Sequence, residues 1–197
     1  MSKTLRLILG DQLNSNHSWF KTIDDTITYV LMEIRTETDY ATHHIQKVVG
    51  FFTAMQNFVN ELKTNNHQVI YIYLNDKINL QSFEKNIFQL VSEHNFTHFE
   101  YQLPDEYRVD QQLKNLCQSI PITSESIDSE HFFTTRNELA AFFEGKKTFL
   151  LESFYRALRK KHDVLMEGSQ PLTGQWNYDG ENRKKLPKNH KPISPFV

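Results

Sequence analysis

The stretch LRLILGDQL, which runs from Leu5 to Leu13, indicates the kind of fold that this chain adopts. Its first five residues form an almost continuous apolar run that ends at Gly10 and Asp11. A short apolar run followed by a turn signal is typical of a strand buried on both faces of a parallel sheet. The run is too short for a secretory signal, so we expect it to be part of the fold.

Strand-like and helix-like segments alternate after this first strand. Further strands, rich in β-branched and aromatic residues, are predicted at Thr26–Ile34, Gln68–Leu74, Thr97–Leu103 and Ile120–Ser124. Apolar residues three and four positions apart predict helices over Ile45–Leu62, Leu80–Val91 and Val109–Cys117. This order predicts an α/β fold: a five-stranded, parallel, doubly wound (Rossmann-like) sheet with helices on both faces.

The helix boundaries and the later part of the chain carry further signals. Thr36 with Asp39 is expected to cap the helix over Ile45–Leu62, and Asn79 is expected to cap the next one. Two more helices are predicted, at Thr135–Gly145 and Phe149–Met166. From Glu167 onward glycine, proline, asparagine and charge prevail, which predicts a domain over residues 1–166 and a linker or tail over 167–197.

Composition limits the classes of protein to which the chain can belong. Its 197 residues fit one domain, and its net charge of −2 gives no sign of nucleic-acid binding by the whole chain, although its last quarter is basic. The single cysteine, Cys117, excludes intrachain disulfides, a cysteine-based zinc site and an iron–sulfur cluster held by this chain alone. No apolar run is long enough to cross a bilayer, so we expect no membrane partner and a cytoplasmic location.

The loops that follow the predicted strands are the expected ligand site. In an open parallel sheet, ligands bind beyond the carboxyl ends of the strands. These loops carry the carboxylates Asp11, Glu33, Glu37 and Asp39, and the chain has no glycine-rich phosphate motif. Carboxylates repel phosphate but accept hydrogen bonds from hydroxyl and ring N–H groups. A polyhydroxylated or heterocyclic ligand is therefore expected; the alternative is that Glu37 and Asp39 only complement a helix dipole.

Four residues near the start of the longest predicted helix extend this site. Tyr40, His43, His44 and Lys47 are spaced so that they would share one helix face, and we expect them to line the same cleft. Adjacent histidines on a helix point about 100° apart, so no metal site is expected from His43 and His44.

Four blocks of the sequence, in order along the chain, resemble the deoxyribodipyrimidine photolyase-related proteins. They are LILGDQL (Leu7–Leu13), EIRTETDYATHHIQKVVGFFTAM (Glu33–Met55), PDEYRV (Pro104–Val109) and SFYRALRKKHDVLMEGSQPLTGQWNYDGENRKKLP (Ser153–Pro187). This family is the bacterial photolyase and cryptochrome branch that carries an iron–sulfur cluster and is linked to (6-4) photoproduct repair. What the chain resembles is the N-terminal α/β domain and the start of the interdomain linker.

The resemblance implies a light-harvesting role. It places FAD and a 4Fe–4S cluster in a C-terminal domain that this chain lacks, so we expect no repair by the chain alone. That FAD domain and a ribityl-lumazine-type antenna chromophore are the expected partners. By resemblance, the residues that bind the chromophore are Gly10, Asp11, Gln12, Ile34, Glu37, Tyr40, His43 and His44.

The resemblance also assigns roles to the basic C-terminal segment. It implies that Trp176, Asn177, Tyr178 and Asn182 dock onto the missing domain. It further implies that Arg183, Lys184 and Lys185 contact DNA phosphates in the full-length protein. A solvated linker is the alternative interpretation of these cations. Two other functions stay open: a stand-alone small-molecule-binding regulatory protein, and a hydrolase or nucleotidyl transferase, which the absent phosphate loops disfavour.

Overall fold

A computed structural model of the chain describes residues 2–179, Lys185 and residues 188–190. The chain divides into two compact units, Met1–Thr135 and Arg136–Val197. In the part of the chain that the structure describes, every helix is too short or too polar to pass through a bilayer.

The first unit is built on a five-stranded parallel sheet, as the sequence predicts. Its strands are β1 (Thr4–Leu7), β2 (Ile27–Met32), β3 (Gln68–Ile72), β4 (His98–Gln102) and β5 (Thr123–Ile127). They lie in the order β3-β2-β1-β4-β5, and every neighbouring pair is parallel. The chain therefore leaves β1 toward one edge of the sheet and later returns to the other side of β1, which makes its carboxyl end a point where the strand order reverses.

Helices cover both faces of this sheet, which confirms the doubly wound α/β fold. The helices of the first unit are α1 (Arg35–Thr38), α2 (Ile45–Thr64), α3 (Phe83–His94) and α4 (Tyr107–Ser119). Side chains alternate along β1, so Leu5 and Leu7 pack with the residues of α3 and α4. Ile8, which follows β1, packs instead with Met55 and Phe58 of α2. Helices therefore pack on both faces of the sheet around its central strand.

Two of the expected helix caps are wrong. α2 begins at Ile45 and its N-cap is His44, whose Nδ1 accepts a hydrogen bond from the backbone N–H of Gln46 at 3.2 Å. Asp39 instead ends the separate short helix α1. The next helix, α3, begins only at Phe83 and its N-cap is Ser82. The Asn79 side chain does not cap it and instead donates to the carbonyls of Glu33 and Tyr73.

The described part of the second unit contains two helices and a hairpin. These are α5 (Glu138–Phe143), α6 (Leu151–Lys161), and the antiparallel strands β6 (Met166–Glu167) and β7 (Gln170–Pro171). Arg159 on α6 is buried and donates to the carbonyls of Val164 and Leu165. Trp176 lies beneath three cations of α6, with distances of 5.3–5.4 Å from its ring to Arg156, Arg159 and Lys160. Cation–π contacts thus bind the segment after the hairpin to α6.

Candidate functional site

A cleft of about 250 Å³ opens at the carboxyl ends of β1, β2 and β4. It therefore lies at the reversal of strand order, where open α/β sheets bind ligands. Its volume is slightly below the roughly 300–1,000 Å³ of typical small-molecule sites. A cleft of this size suits one compact ring system with a short polar chain more than a dinucleotide.

The floor and one wall of the cleft are apolar. They come from the ends of β1 and β2 and from the first half of α2, and comprise Ile8, Leu9, Met32, Ile34, Val48, Phe51, Phe52 and Met55. Ile34, a predicted site residue, is 1% exposed and lies two residues after the end of β2. Aliphatic and aromatic walls of this kind favour a flat heterocycle.

Gly10 lies where the backbone after β1 forms part of the cleft lining. A Cβ atom at this position would lie 3.1 Å from Sδ of Met55 and 3.6 Å from a ring carbon of Phe51. The absence of a side chain therefore keeps the space between the strand end and α2 open.

Asp11 lines the same cleft at its mouth. Its side chain reaches solvent but lies in a concavity, and this loss of solvation raises its pKa above the ordinary 3.8. The negative charge of Asp105 and then that of Glu106 raise the pKa further, whereas a backbone hydrogen bond and His131 act in the opposite direction. Asp11 thus has two further carboxylates nearby, while the cation Lys47 also lines the cleft.

Glu37 reaches the cleft but is already paired. Its two carboxylate oxygens accept hydrogen bonds from Nη1 and Nη2 of Arg108, each at 2.8 Å. Hydrogen bonds to Glu37, and less strongly to Glu106, raise the pKa of Arg108, which keeps its charge. Sequence reasoning did not single out Arg108; the block PDEYRV placed it in a strand-end loop, and its partner lies 71 residues away.

Tyr40 and His43 also line the cleft, although neither belongs to the long helix. The expectation that Tyr40, His43, His44 and Lys47 share one face of that helix is wrong, because α2 begins after the first three. The rings of Tyr40 and His43 contact each other edge to face, and Lys47 lies 3.2 Å from Nδ1 of His43. The segment between α1 and α2 therefore brings these side chains to the cleft.

Gln12 and His44 have other partners in the structure. The buried Gln12 amide accepts from the Leu9 N–H at 3.1 Å and donates to the Gln102 carbonyl at 3.1 Å, which ties the loop after β1 to the end of β4. His44 is the exposed N-cap of α2. Neither side chain lines the cleft, and their role in ligand binding stays a prediction.

Glu33 and Asp39, which the sequence groups with the other carboxylates, lie elsewhere. Glu33 is buried and accepts hydrogen bonds from Tyr71, Gln56 and the Leu74 backbone. Asp39 is exposed, and its Oδ2 lies 3.8 Å from Nη1 of Arg35 at the start of α1. Of the four carboxylates, only Asp11 and Glu37 line the cleft.

Among the residues that the structure describes, no group of three or more His, Cys, Asp or Glu side chains is placed to hold a metal ion. Lys185 is exposed, whereas Arg183, Lys184 and Asn182 lie outside the described residues. Residues 136–197 contain twelve of the 22 lysines and arginines but only seven of the 24 acidic residues, so the basic charge is concentrated in the second unit.

The chain is similar in sequence to known proteins over almost its whole length. Residues 6–197 match the family model of deoxyribodipyrimidine photo-lyase-related proteins. The chain is 32% identical over 183 residues to a (6-4) photolyase of Agrobacterium fabrum, which covers 91% of this chain but 36% of that protein. It is also 26% identical over 150 residues, 73% of each chain, to the uncharacterized protein R852 of Acanthamoeba polyphaga mimivirus.

Proposed function

This chain belongs to the family of deoxyribodipyrimidine photo-lyase-related proteins, and on that premise we propose that its cleft binds a light-harvesting chromophore of the ribityl-lumazine type. The chain spans 36% of the length of the (6-4) photolyase that it matches, so any activity of that whole protein is itself a proposal here. The proposed role is that of an antenna, which absorbs light and passes the excitation to a flavin.

One observation carries this proposal: the cleft combines an apolar floor with the carboxylate of Asp11 at its mouth, and no phosphate-binding loop lies there. The aliphatic and aromatic wall accommodates the rings of the dye. The carboxylate of Asp11 accepts hydrogen bonds from ribityl hydroxyl groups at the mouth. Tyr40 and His43 flank the same opening. The carboxylate of Asp11 would repel the phosphate of a phosphorylated ligand there.

An antenna requires no catalytic residue. Excitation passes through space, so the protein needs only to hold the dye rigidly, in a fixed orientation and away from water. FAD and the 4Fe–4S cluster are proposed for a region outside this chain, and light-driven DNA repair is proposed only for a protein in which that region accompanies this domain. In such a protein Arg183, Lys184 and Lys185 would add salt-sensitive affinity for DNA phosphates.

Titration of the ligand-free protein with dimethyl-ribityllumazine, riboflavin and FMN tests the proposal. Fluorescence polarisation is expected to show binding of dimethyl-ribityllumazine and riboflavin, which carry no phosphate. Binding of FMN is expected to be weaker by about tenfold or more, because FMN adds a phosphate. Asp11→Asn is expected to reduce the difference in affinity between riboflavin and FMN. The Lys77→Gln variant, in the exposed loop after β3 and outside the cleft lining, is the control. Tight binding of ATP or NAD, or no uptake of lumazine, would contradict the proposal.

A second candidate is a small-molecule-binding regulatory protein that uses the cleft without light chemistry. The mimivirus relative favours it, because the matched segment there makes up 73% of the whole protein. Spectroscopy of the lumazine complex mixed with a flavin-loaded family member separates the two candidates. If the protein is an antenna, the lumazine emission is quenched because its excitation is transferred to the flavin. If it is a regulatory protein, the lumazine emission stays unchanged.

A further inference from the structure

An ion pair crosses above the carboxyl end of β1. Glu37 lies on α1, which follows β2, whereas Arg108 lies in the first turn of α4, which follows β4. In the sheet, β1 separates β2 from β4. The two hydrogen bonds of 2.8 Å between Arg108 and Glu37 therefore join the two sides of the cleft over the strand that supplies Gly10 and Asp11.

Arg108 has further partners on both sides of this crossing. Its guanidinium carbon lies 4.3 Å from the ring centroid of Tyr40, on the side of α1. On its own side, its Nε donates to Glu106 at 2.8 Å. A planar guanidinium satisfies a bidentate carboxylate and an aromatic face together, which the point charge of a lysine does not.

The segment from Arg35 to His44 has few other ties to the rest of the unit. α1 is a single turn, none of its residues is buried, and its N-cap makes no side-chain hydrogen bond. At its start, the Gln81 side chain accepts from the Arg35 N–H at 3.0 Å and donates to the Leu74 carbonyl at 2.7 Å. A segment with little apolar burial opens at low free-energy cost.

We propose that Arg108 is a positioning residue that straps the segment 35–44 across the cleft, so that this segment acts as a lid over the bound ligand. This inference rests on the proposed function for the identity of the ligand, but the strap itself is a property of the ligand-free protein. Opening the lid requires the Arg108–Glu37 pair and the stacking on Tyr40 to break, and closing it reforms both.

A lid controls rates more than affinity. Removing its strap speeds both the entry and the release of the ligand, whereas removing a ligand contact speeds release alone. The side chains of Arg108 and Glu37 are 29% and 28% exposed, so salt screens their attraction in part. Higher ionic strength is therefore expected to speed exchange in the wild type but not in a variant that lacks the pair.

Hydrogen exchange of the ligand-free protein tests the strap directly. Arg108→Ala and Glu37→Gln break the pair from opposite ends, and both are expected to raise amide exchange over residues 35–44 by about tenfold, which corresponds to about 1.4 kcal/mol. Arg108→Lys keeps the charge and is expected to restore only part of the protection. Lys114→Ala removes a cation of the same helix that pairs with Asp110, and serves as the matched control. Unchanged exchange in both pair-breaking variants would overturn the inference.

Stopped-flow binding of dimethyl-ribityllumazine then tests the lid. Arg108→Ala is expected to speed association and dissociation by about tenfold each and to change the Kd by less than about threefold. Faster release with unchanged association would overturn the inference and make Arg108 a ligand contact. If the wild type takes up no lumazine, the proposed function fails, and the exchange experiment still decides whether the strap exists.

Discussion

Replacing Glu33 with glutamine is expected to lower the free energy of unfolding of the first unit by about 2–4 kcal/mol. The Glu33 side chain is buried, and its Oε1 accepts from Nε2 of Gln56 at 2.8 Å and from the Tyr71 hydroxyl at 2.6 Å. Its Oε2 accepts from the Leu74 N–H at 2.9 Å. One carboxylate thus joins the end of β2 to α2, to β3 and to the loop after β3.

The magnitude follows from what glutamine can and cannot accept. Its single oxygen keeps the donors Gln56 and Tyr71, but its amide group then faces the Leu74 N–H, and a buried donor without an acceptor costs about 1–3 kcal/mol. The two remaining hydrogen bonds lose their charge and about 1 kcal/mol each. A neutral amide avoids the desolvation cost of a buried carboxylate, which offsets part of this loss.

Urea unfolding followed by far-UV circular dichroism measures the effect. With a denaturant dependence of about 2 kcal/mol per molar urea, a loss of about 3 kcal/mol lowers the midpoint by about 1.5 M. Glu61→Gln, on the exposed face of α2, is the matched control and is expected to change stability by less than about 0.5 kcal/mol. A Glu33→Gln protein as stable as this control would refute the reasoning.

Three further changes concern the loop that follows β1. Gly10→Val is expected to weaken lumazine binding by about tenfold or more while far-UV circular dichroism stays unchanged, because its side chain would lie against Met55. Wild-type affinity for lumazine in this variant would show that the binding site lies elsewhere. Because the pKa of Asp11 is raised above 3.8, the folded state keeps this proton to higher pH than the unfolded state does, so ionisation destabilises the fold as the pH rises. Asp11→Asn is therefore expected to have a higher urea midpoint than the wild type at pH 7 and the same midpoint at pH 3. If the variant and the wild type have identical unfolding curves at both pH values, this reasoning is contradicted. Gln12→Ala leaves the buried Leu9 N–H without its acceptor and is expected to cost about 1–3 kcal/mol in urea unfolding, and a cost under about 0.5 kcal/mol would exclude a structural role.

The sheet was predictable because each of its strands carries its own signal. Leu5 and Leu7 are fully buried, and short apolar runs of that kind indicate a parallel strand without reference to the rest of the chain. The start of α2 was less predictable. An imidazole at His44 caps the helix, whereas sequence patterns favour Ser, Thr, Asp or Asn at that position.

The site was predictable in its location but not in its connections. The position of Asp11 and Glu37 at strand ends follows from the parallel sheet alone. That Glu37 is paired with Arg108 depends on the order of the strands, which a single sequence does not reveal. The same holds for Gln12, whose partner carbonyl lies 90 residues away, and for Glu33, whose burial comes from packing between β3 and α2.

The central position of β1 has a consequence for how the protein is made. β1 pairs on one side with β2 and on the other with β4. Where β1 meets β4, the side chains of Arg6 and Glu100 form an ion pair between residues 94 positions apart. A ribosome must therefore release about a hundred residues before both sides of the first strand are covered. Contacts so distant in sequence form slowly, and until then the nascent chain exposes an apolar strand edge on which chaperones can act. The cleft beside Gly10, which needs the ends of β1, β2 and β4, is complete only after that step.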